Sequence, residues 1–120
     1  MPAQAVSLYN RAIMSGDYAT ACRLLTRFGR IDAVHDGREL ARPGTARPSS
    51  CPAALEQIIP NTPSYRKLRR ARMVRVRPEP TDDREVLVTQ RFADGRLVDV
   101  LVRRQARRWL LVLNPYSPLG

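Results

Sequence analysis

Apolar residues in the first half of the chain recur at helical spacing and predict three helices. The first spans residues 3–15 and the second residues 18–28, which Gly29 ends. The third begins after Ser49 and Ser50 and is stopped by Pro60. The apolar stripes that define the first two helices are Val6, Tyr9, Ala12 and Ile13, and then Tyr18, Ala21, Cys22, Leu25 and Phe28.

Between the second and third helices the pattern weakens. Residues 31–34 predict one short strand. Residues 38–50 contain Gly, two Pro, Thr and Ser, and this composition predicts a mobile loop. After the third helix, residues 64–70 are expected to add one further turn of helix.

From residue 70 the apolar period changes to two. This period predicts strands over 71–77, 85–92, 96–103 and 108–114. The segments Ala93-Asp94-Gly95 and Gln105-Ala106 are expected to be hairpin turns, so the strands form an antiparallel meander.

The third strand indicates which face of the sheet is buried. Val98, Val100 and Val102 share one face, and Asp99 lies on the other with Leu97 and Leu101. Because burying an unpaired carboxylate is costly, the valine face is expected to meet the helices. The fold class is therefore α+β, with N-terminal helices packed in a curved antiparallel sheet of four or more strands. We expect one domain over residues 1–114 and a flexible tail over 115–120.

Composition changes this picture mainly through charge. The 120 residues include 21 basic and 11 acidic side chains, for a net charge of +10, and Lys67 is the only lysine. The apolar fraction of 43% is ordinary for a globular protein, and no apolar run is long enough to cross a bilayer. No signal peptide is present as written. The sequence does not separate a cytoplasmic protein from an exported one whose leader was removed.

The densest basic run places seven cations within twelve positions. One interpretation is a polyanion site for nucleic-acid phosphates or anionic lipid headgroups. The other is a solvated, partly ion-paired surface, since acidic residues follow at 79–85 and a GC-rich genome also produces an arginine excess. The run comprises Arg66, Lys67, Arg69, Arg70, Arg72, Arg75 and Arg77.

Cys22 and Cys51 are the only cysteines, and both fall on apolar helix faces. They are either paired or two separate buried thiols. Together with His35 they are too few for a structural zinc site, which takes four ligands. No phosphate-binding glycine loop is present, and we expect neither a metal nor a cofactor.

Three segments together resemble a known family. They are SGDYATACRLL, the Ser49-to-Leu55 segment SSCPAAL, and LVRRQARRWLLVL near the end. In order and spacing they resemble small actinobacterial nuclear transport factor two-like domains of the exported or lipoprotein type. That family has a cystatin-like α+β fold, a cone with a pocket at its wide end. The resemblance implies that Cys22 and Cys51 are paired and that the chain works outside the cytoplasm, from which a leader or anchor is missing here.

The resemblance also frames the function as a non-catalytic binding or scaffold domain. Its partner would be another protein or a small apolar ligand, with weak contact to an anionic membrane or nucleic acid and a homodimer formed through the sheet. The alternative is an enzyme of the polyketide cyclase or ketosteroid isomerase kind. No residue matches a catalytic motif of those enzymes beyond its type, so none is assigned as catalytic. The residues expected to line the pocket are Tyr9, Tyr18, Asp99 and Trp109.

Overall fold

The computed structural model describes residues 1–116, except for the side chains of residues 63–65. Over these residues the architecture is α+β, with helices followed by a four-stranded antiparallel sheet. The helices are α1 (Pro2–Ser15), α2 (Tyr18–Arg23), α3 (Arg27–Leu40) and α4 (Cys51–Ile58). Two 3₁₀ segments, Ile59–Asn61 and Pro63–Arg70, lead into the sheet. Its strands are β1 (Arg72–Pro78), β2 (Glu85–Arg91), β3 (Leu97–Gln105) and β4 (Arg108–Leu111).

The sheet is a meander in the order β1-β2-β3-β4, as the period-two pattern predicts. In its centre Val100 pairs with Val88, and both side chains are buried. Asp99 on the opposite face is exposed, so the valine face does meet the helices. Helix α1 lies across this inner face and contacts all four strands. The core is therefore a single layer between α1 and the sheet, extended by the other helices.

Both predicted hairpin turns are present. In the first, the Phe92 amide donates to the Arg96 carbonyl at 2.9 Å, and Gly95 adopts a φ of 87° that glycine tolerates without strain. In the second, Gln105 pairs with Arg108 across a two-residue turn. Ala106 in that turn has a φ of 54°, which is costly for a residue with a Cβ atom.

The helix predicted over 18–28 is wrong beyond Arg23. Gly16 and Asp17 act as predicted, with Gly16 left-handed at φ 74° and the Asp17 carboxylate accepting from the Thr20 amide at 3.2 Å. The chain then leaves the helix because its backbone pairs with the end of β4. The Leu24 carbonyl accepts from the Leu111 amide at 2.8 Å, and the Thr26 amide donates to the Leu111 carbonyl at 2.8 Å.

Helix α3 replaces the short strand predicted at 31–34 and part of the loop predicted over 38–50. Its buried face consists of small residues, Gly29, Ala33 and Gly37, spaced four apart. A Cβ atom on Gly29 would lie 2.6 Å from the Val112 carbonyl oxygen. One on Gly37 would lie 2.9 Å from Cα of Ala54 in α4. The two glycines are thus contact points and not helix ends.

Two large side chains are correspondingly outside the core. Phe28, expected on the buried face of the second helix, is 63% exposed, and Ile31 of the predicted strand is 58% exposed. Because α3 approaches α4 through its glycines, its bulky apolar residues face the solvent.

The disulfide expected from the family resemblance is confirmed. Cys22 and Cys51 are bonded, with their Cα atoms 6.0 Å apart and 29 positions between them in the sequence. The bond joins the end of α2 to the start of α4. It closes a loop that contains all of α3.

Tyr116 falls in the segment predicted as a flexible tail, yet its side chain is 2% exposed. Asn114 holds it in place, because the Asn114 side-chain amide donates to the Tyr116 carbonyl at 2.8 Å. The remainder of the predicted tail, residues 117–120, lies outside the described residues.

Candidate anion-binding surface

The predicted basic run follows the second 3₁₀ segment into β1. Six of its seven cations are exposed, and Arg77 is half-buried. The structure separates them into two groups, because the chain turns at Ala71 from the 3₁₀ segment into the strand. Arg69, Arg70 and Arg72 lie at this turn, whereas Arg75 and Arg77 point to the outer face of the sheet.

The first group lines one cavity of about 500 Å³. We call this the arginine cavity. The remainder of its wall is Ala71 and Ala93, the latter from the turn between β2 and β3. Among the described side chains, no salt bridge involves Arg69, Arg70 or Arg72. Three guanidinium groups therefore face one space without a carboxylate in its lining.

A neighbouring ion pair holds this cavity together. Lys67 Nζ donates to Asp94 Oδ2 at 2.7 Å and joins the 3₁₀ segment to the turn that carries Ala93. The Lys67 hydrogen bond, with the Arg96 amide and the nearby positive charge, holds the pKa of Asp94 below its ordinary value. The negative charge nearest the turn is thus already neutralised by Lys67.

The second group lies in a groove of about 390 Å³ on the outer face of the sheet. Here the charge is partly compensated, because Arg77 donates to Asp99 Oδ2 at 2.9 Å. The Thr89 hydroxyl also donates to Asp99. Arg75 and Arg91 line the same groove together with the exposed apolar residues Val74 and Leu97.

The four residues predicted to line a pocket do not meet in one cavity. Asp99 occupies the outer face, opposite the core that contains Tyr9. Tyr9 is buried, and its hydroxyl donates to Asn114 Oδ1 at 2.8 Å. Burial, with a smaller contribution from the charge on Tyr116, raises the pKa of Tyr9 well above its ordinary value. Tyr18 and Trp109 are half-buried and pack against the core.

The space between α1 and the sheet is filled by a buried polar network. Asn10 Nδ2 donates to Gln90 Oε1 at 3.0 Å, and Gln90 Nε2 donates to the Tyr116 hydroxyl at 2.6 Å. That hydroxyl in turn donates to Asn10 Oδ1. Burial raises the pKa of Tyr116 above its ordinary value, so the phenol stays protonated at neutral pH. None of the three side chains can exchange a proton near neutral pH.

The sequence analysis did not single out any member of this network. A signal was nevertheless present, because Asn10 lies within the apolar stripe of α1 and Gln90 continues the inward-facing positions Val86 and Val88 of β2. Buried polar groups require hydrogen-bond partners. Two polar residues on facing apolar surfaces are therefore expected to pair with each other.

Comparison with protein-family models, with curated proteins and with solved structures gave no match. Within the described residues, no three His, Cys, Asp or Glu side chains are grouped so that they could bind a metal ion. None of the helices described above is both long and apolar enough to cross a bilayer. The chemistry of the site must accordingly be inferred from its own geometry, in which unpaired arginines dominate.

Proposed function

We propose that this chain is a non-catalytic binding domain that recognises a phosphate-bearing anionic partner through the arginine cavity. The observation that carries the proposal is the grouping of Arg69, Arg70 and Arg72 around one cavity without a carboxylate. Guanidinium groups bind phosphate oxygens through paired, charge-assisted hydrogen bonds. Three of them at one turn of the chain provide more donors than a single solvated surface arginine.

The placement of the titratable residues supports a binding role over an enzymatic one. Asp99 is engaged by Arg77 and Thr89 on the outer face, and Tyr9 is hydrogen-bonded inside the core. A cyclase or isomerase would need such groups to face substrate in a shared cavity. Here Asn10, Gln90 and Tyr116 occupy the corresponding space between helix and sheet.

We further propose that the domain works outside the cytoplasm and has the nuclear transport factor two-like cone fold. The order of helices and antiparallel strands agrees with that fold, as do the three segments that resemble the family. The disulfide between Cys22 and Cys51 favours an oxidising compartment, because thiols are kept reduced in the cytosol.

A charge-matched pair of variants tests the binding role. The first carries Arg69→Gln, Arg70→Gln and Arg72→Gln. The control carries the same change at three exposed arginines on α3 and the loop after it, which make no side-chain contact within the described residues. These are Arg27, Arg42 and Arg47.

The measurement is fluorescence anisotropy of labelled polyphosphate at low ionic strength. Because both variants lose three charges, a long-range effect of net charge lowers the affinity equally in both. A site at the arginine cavity lowers it much more in the first variant, and this is the expected result. Equal losses in the two variants would refute the proposed site.

A further inference from the structure

A second cavity adjoins the arginine cavity and differs from it in character. It lies between α1 and the chain that enters β1, and its volume is about 470 Å³. We call it the α1–β1 cleft. Ligand pockets in proteins span roughly 300–1,000 Å³, so the cleft is large enough for part of a small ligand.

The floor of the cleft is apolar and its rim is cationic. Leu68, Met14 and Met73 form the floor; Leu68 belongs to the core and the two methionines pack against it. Arg11 from α1 and Arg69 from the 3₁₀ segment stand at the rim, and no salt bridge among the described side chains involves either. Methionine side chains adapt their shape to an irregular apolar ligand more readily than branched ones do.

The two cavities share a wall. Arg69 and Ala71 line both the arginine cavity and the α1–β1 cleft. An apolar-floored space is therefore separated from a three-arginine space only by the side chains of these two residues. This juxtaposition suits a ligand that is anionic at one end and apolar at the other.

We propose that the anionic partner is a membrane phospholipid, whose phosphate lies in the arginine cavity and whose acyl chain enters the α1–β1 cleft. This inference rests on the proposed function and specifies its ligand. A membrane surface also explains the length of the basic run, since Arg66 and Arg75 are exposed beyond the two cavities and one phosphate cannot use them. Basic residues near an anionic membrane each contribute about fivefold to affinity.

The same surface is poorly suited to nucleic acid. No aromatic side chain lines either cavity, whereas single-stranded nucleic acids are held largely by stacking on aromatic rings. The cations lie on a 3₁₀ segment and an edge strand, and no α-helix presents them to a major groove. A nucleic acid would also leave the apolar floor of the cleft without a partner.

Vesicle flotation tests the proposal, with vesicles of phosphatidylcholine alone or mixed with phosphatidylglycerol. The decisive variant is Ser7→Phe, because Ser7 is an exposed residue of α1 that lines the cleft, and a phenyl ring there blocks the acyl chain without removing a core contact. The control is Leu8→Phe, at the next position of α1, outside the lining of the cleft.

The expected result is binding that requires phosphatidylglycerol, is weakened by Ser7→Phe and is unchanged by Leu8→Phe. Decyl phosphate should compete better than inorganic phosphate, by about tenfold for every two methylene groups that the cleft buries. Ser7→Phe should abolish this advantage and leave the affinity for polyphosphate intact.

Two outcomes would overturn the inference and leave the proposed function standing. One is full vesicle binding by Ser7→Phe, and the other is tighter binding of duplex DNA than of phosphatidylglycerol vesicles at equal phosphate and salt. If replacing Arg69, Arg70 and Arg72 changes neither polyphosphate nor vesicle binding, the proposed function fails together with the inference.

Discussion

The helical half of the chain and its strand half are held together by different interactions. Residues 1–60 carry seven basic and five acidic side chains, and their described helices are joined by small-residue packing and by the disulfide. Residues 61–120 carry fourteen basic and six acidic side chains. There, ion pairs join separate elements: Lys67 with Asp94, Arg77 with Asp99, and Arg103 with Asp82 and Glu85.

The ion pairs of the strand half determine which of its cations are available. Three basic residues are occupied by carboxylates, and the group around the arginine cavity is left over. Exposed ion pairs contribute little to stability. We therefore expect changes in the helical half to alter stability and leave binding unchanged, and changes to the strand half's surface charges to do the reverse.

The largest effect is expected from the disulfide. Replacing Cys22 and Cys51 by Ala, or reducing the bond, should lower the free energy of unfolding by about 3–4 kcal/mol, because a 29-residue loop is no longer closed in the unfolded chain. Urea unfolding with and without reductant measures this. Polyphosphate affinity, measured where the protein is still folded, should not change. An affinity that falls with reduction would break the separation between the two halves.

The next effect tests the contact between the halves. Tyr116→Phe removes the hydroxyl that links Gln90 to Asn10 and leaves two buried polar groups without a partner. Such a loss costs about 1–3 kcal/mol of stability. Thermal or urea unfolding measures the cost, and polyphosphate binding serves as the control. A variant as stable as the parent would mean that the network is not formed in solution.

A smaller effect of opposite sign is expected at the last hairpin. Ala106→Gly relieves the left-handed conformation at φ 54° and should stabilise the protein by up to about 1 kcal/mol. The thermal unfolding midpoint should rise. The matched control is Ala93→Gly in the other hairpin, where no positive φ is relieved and the added backbone freedom should lower the midpoint. Destabilisation by Ala106→Gly would show that the turn adopts another conformation.

The smallest effect concerns pH and the exposed Asp94. Its pKa is lowered in the folded state, mainly by Lys67, so the folded protein binds a proton less readily there than the unfolded chain. This contribution to stability is present above the ordinary pKa of 3.8 and is lost as the pH falls through the folded value. Asp94→Asn should therefore flatten the decline of the unfolding midpoint in acid.

The same substitution sharpens the comparison of the two halves at neutral pH. Removing the carboxylate that neutralises Lys67 frees one more cation beside the arginine cavity. Affinity for polyphosphate should rise modestly. Asp36→Asn in α3 removes the same charge from the helical half and should leave the affinity nearly unchanged; equal increases would indicate a net-charge effect alone.

The sheet could be predicted from the sequence because its signals are local. Alternating valines identify β3 and its buried face, and Gly95 marks the turn before it. Helix α3 could not, because its buried face is made of Gly29, Ala33 and Gly37, which carry no hydrophobic stripe. Glycine within a helix is normally destabilising, and here a close approach to α4 compensates.

The candidate site was only half predictable for a similar reason. The basic run is visible in the sequence, but its division into paired and unpaired cations depends on residues distant along the chain. Asp94 is 27 positions from Lys67, and Asp99 is 22 positions from Arg77. The pairing follows from the register of the meander, and charge spacing alone does not reveal it.

The hydrogen bond between Tyr116 and Asn10 joins residues 106 positions apart and has a consequence for how the chain is made. During synthesis α1 leaves the ribosome first, but the partners that satisfy Asn10 and Tyr9 emerge only with Gln90, Asn114 and Tyr116. Long-range contacts of this kind form late. A nascent chain arrested before residue 116 should therefore remain sensitive to protease along α1, and protection should begin once Tyr116 has cleared the exit tunnel.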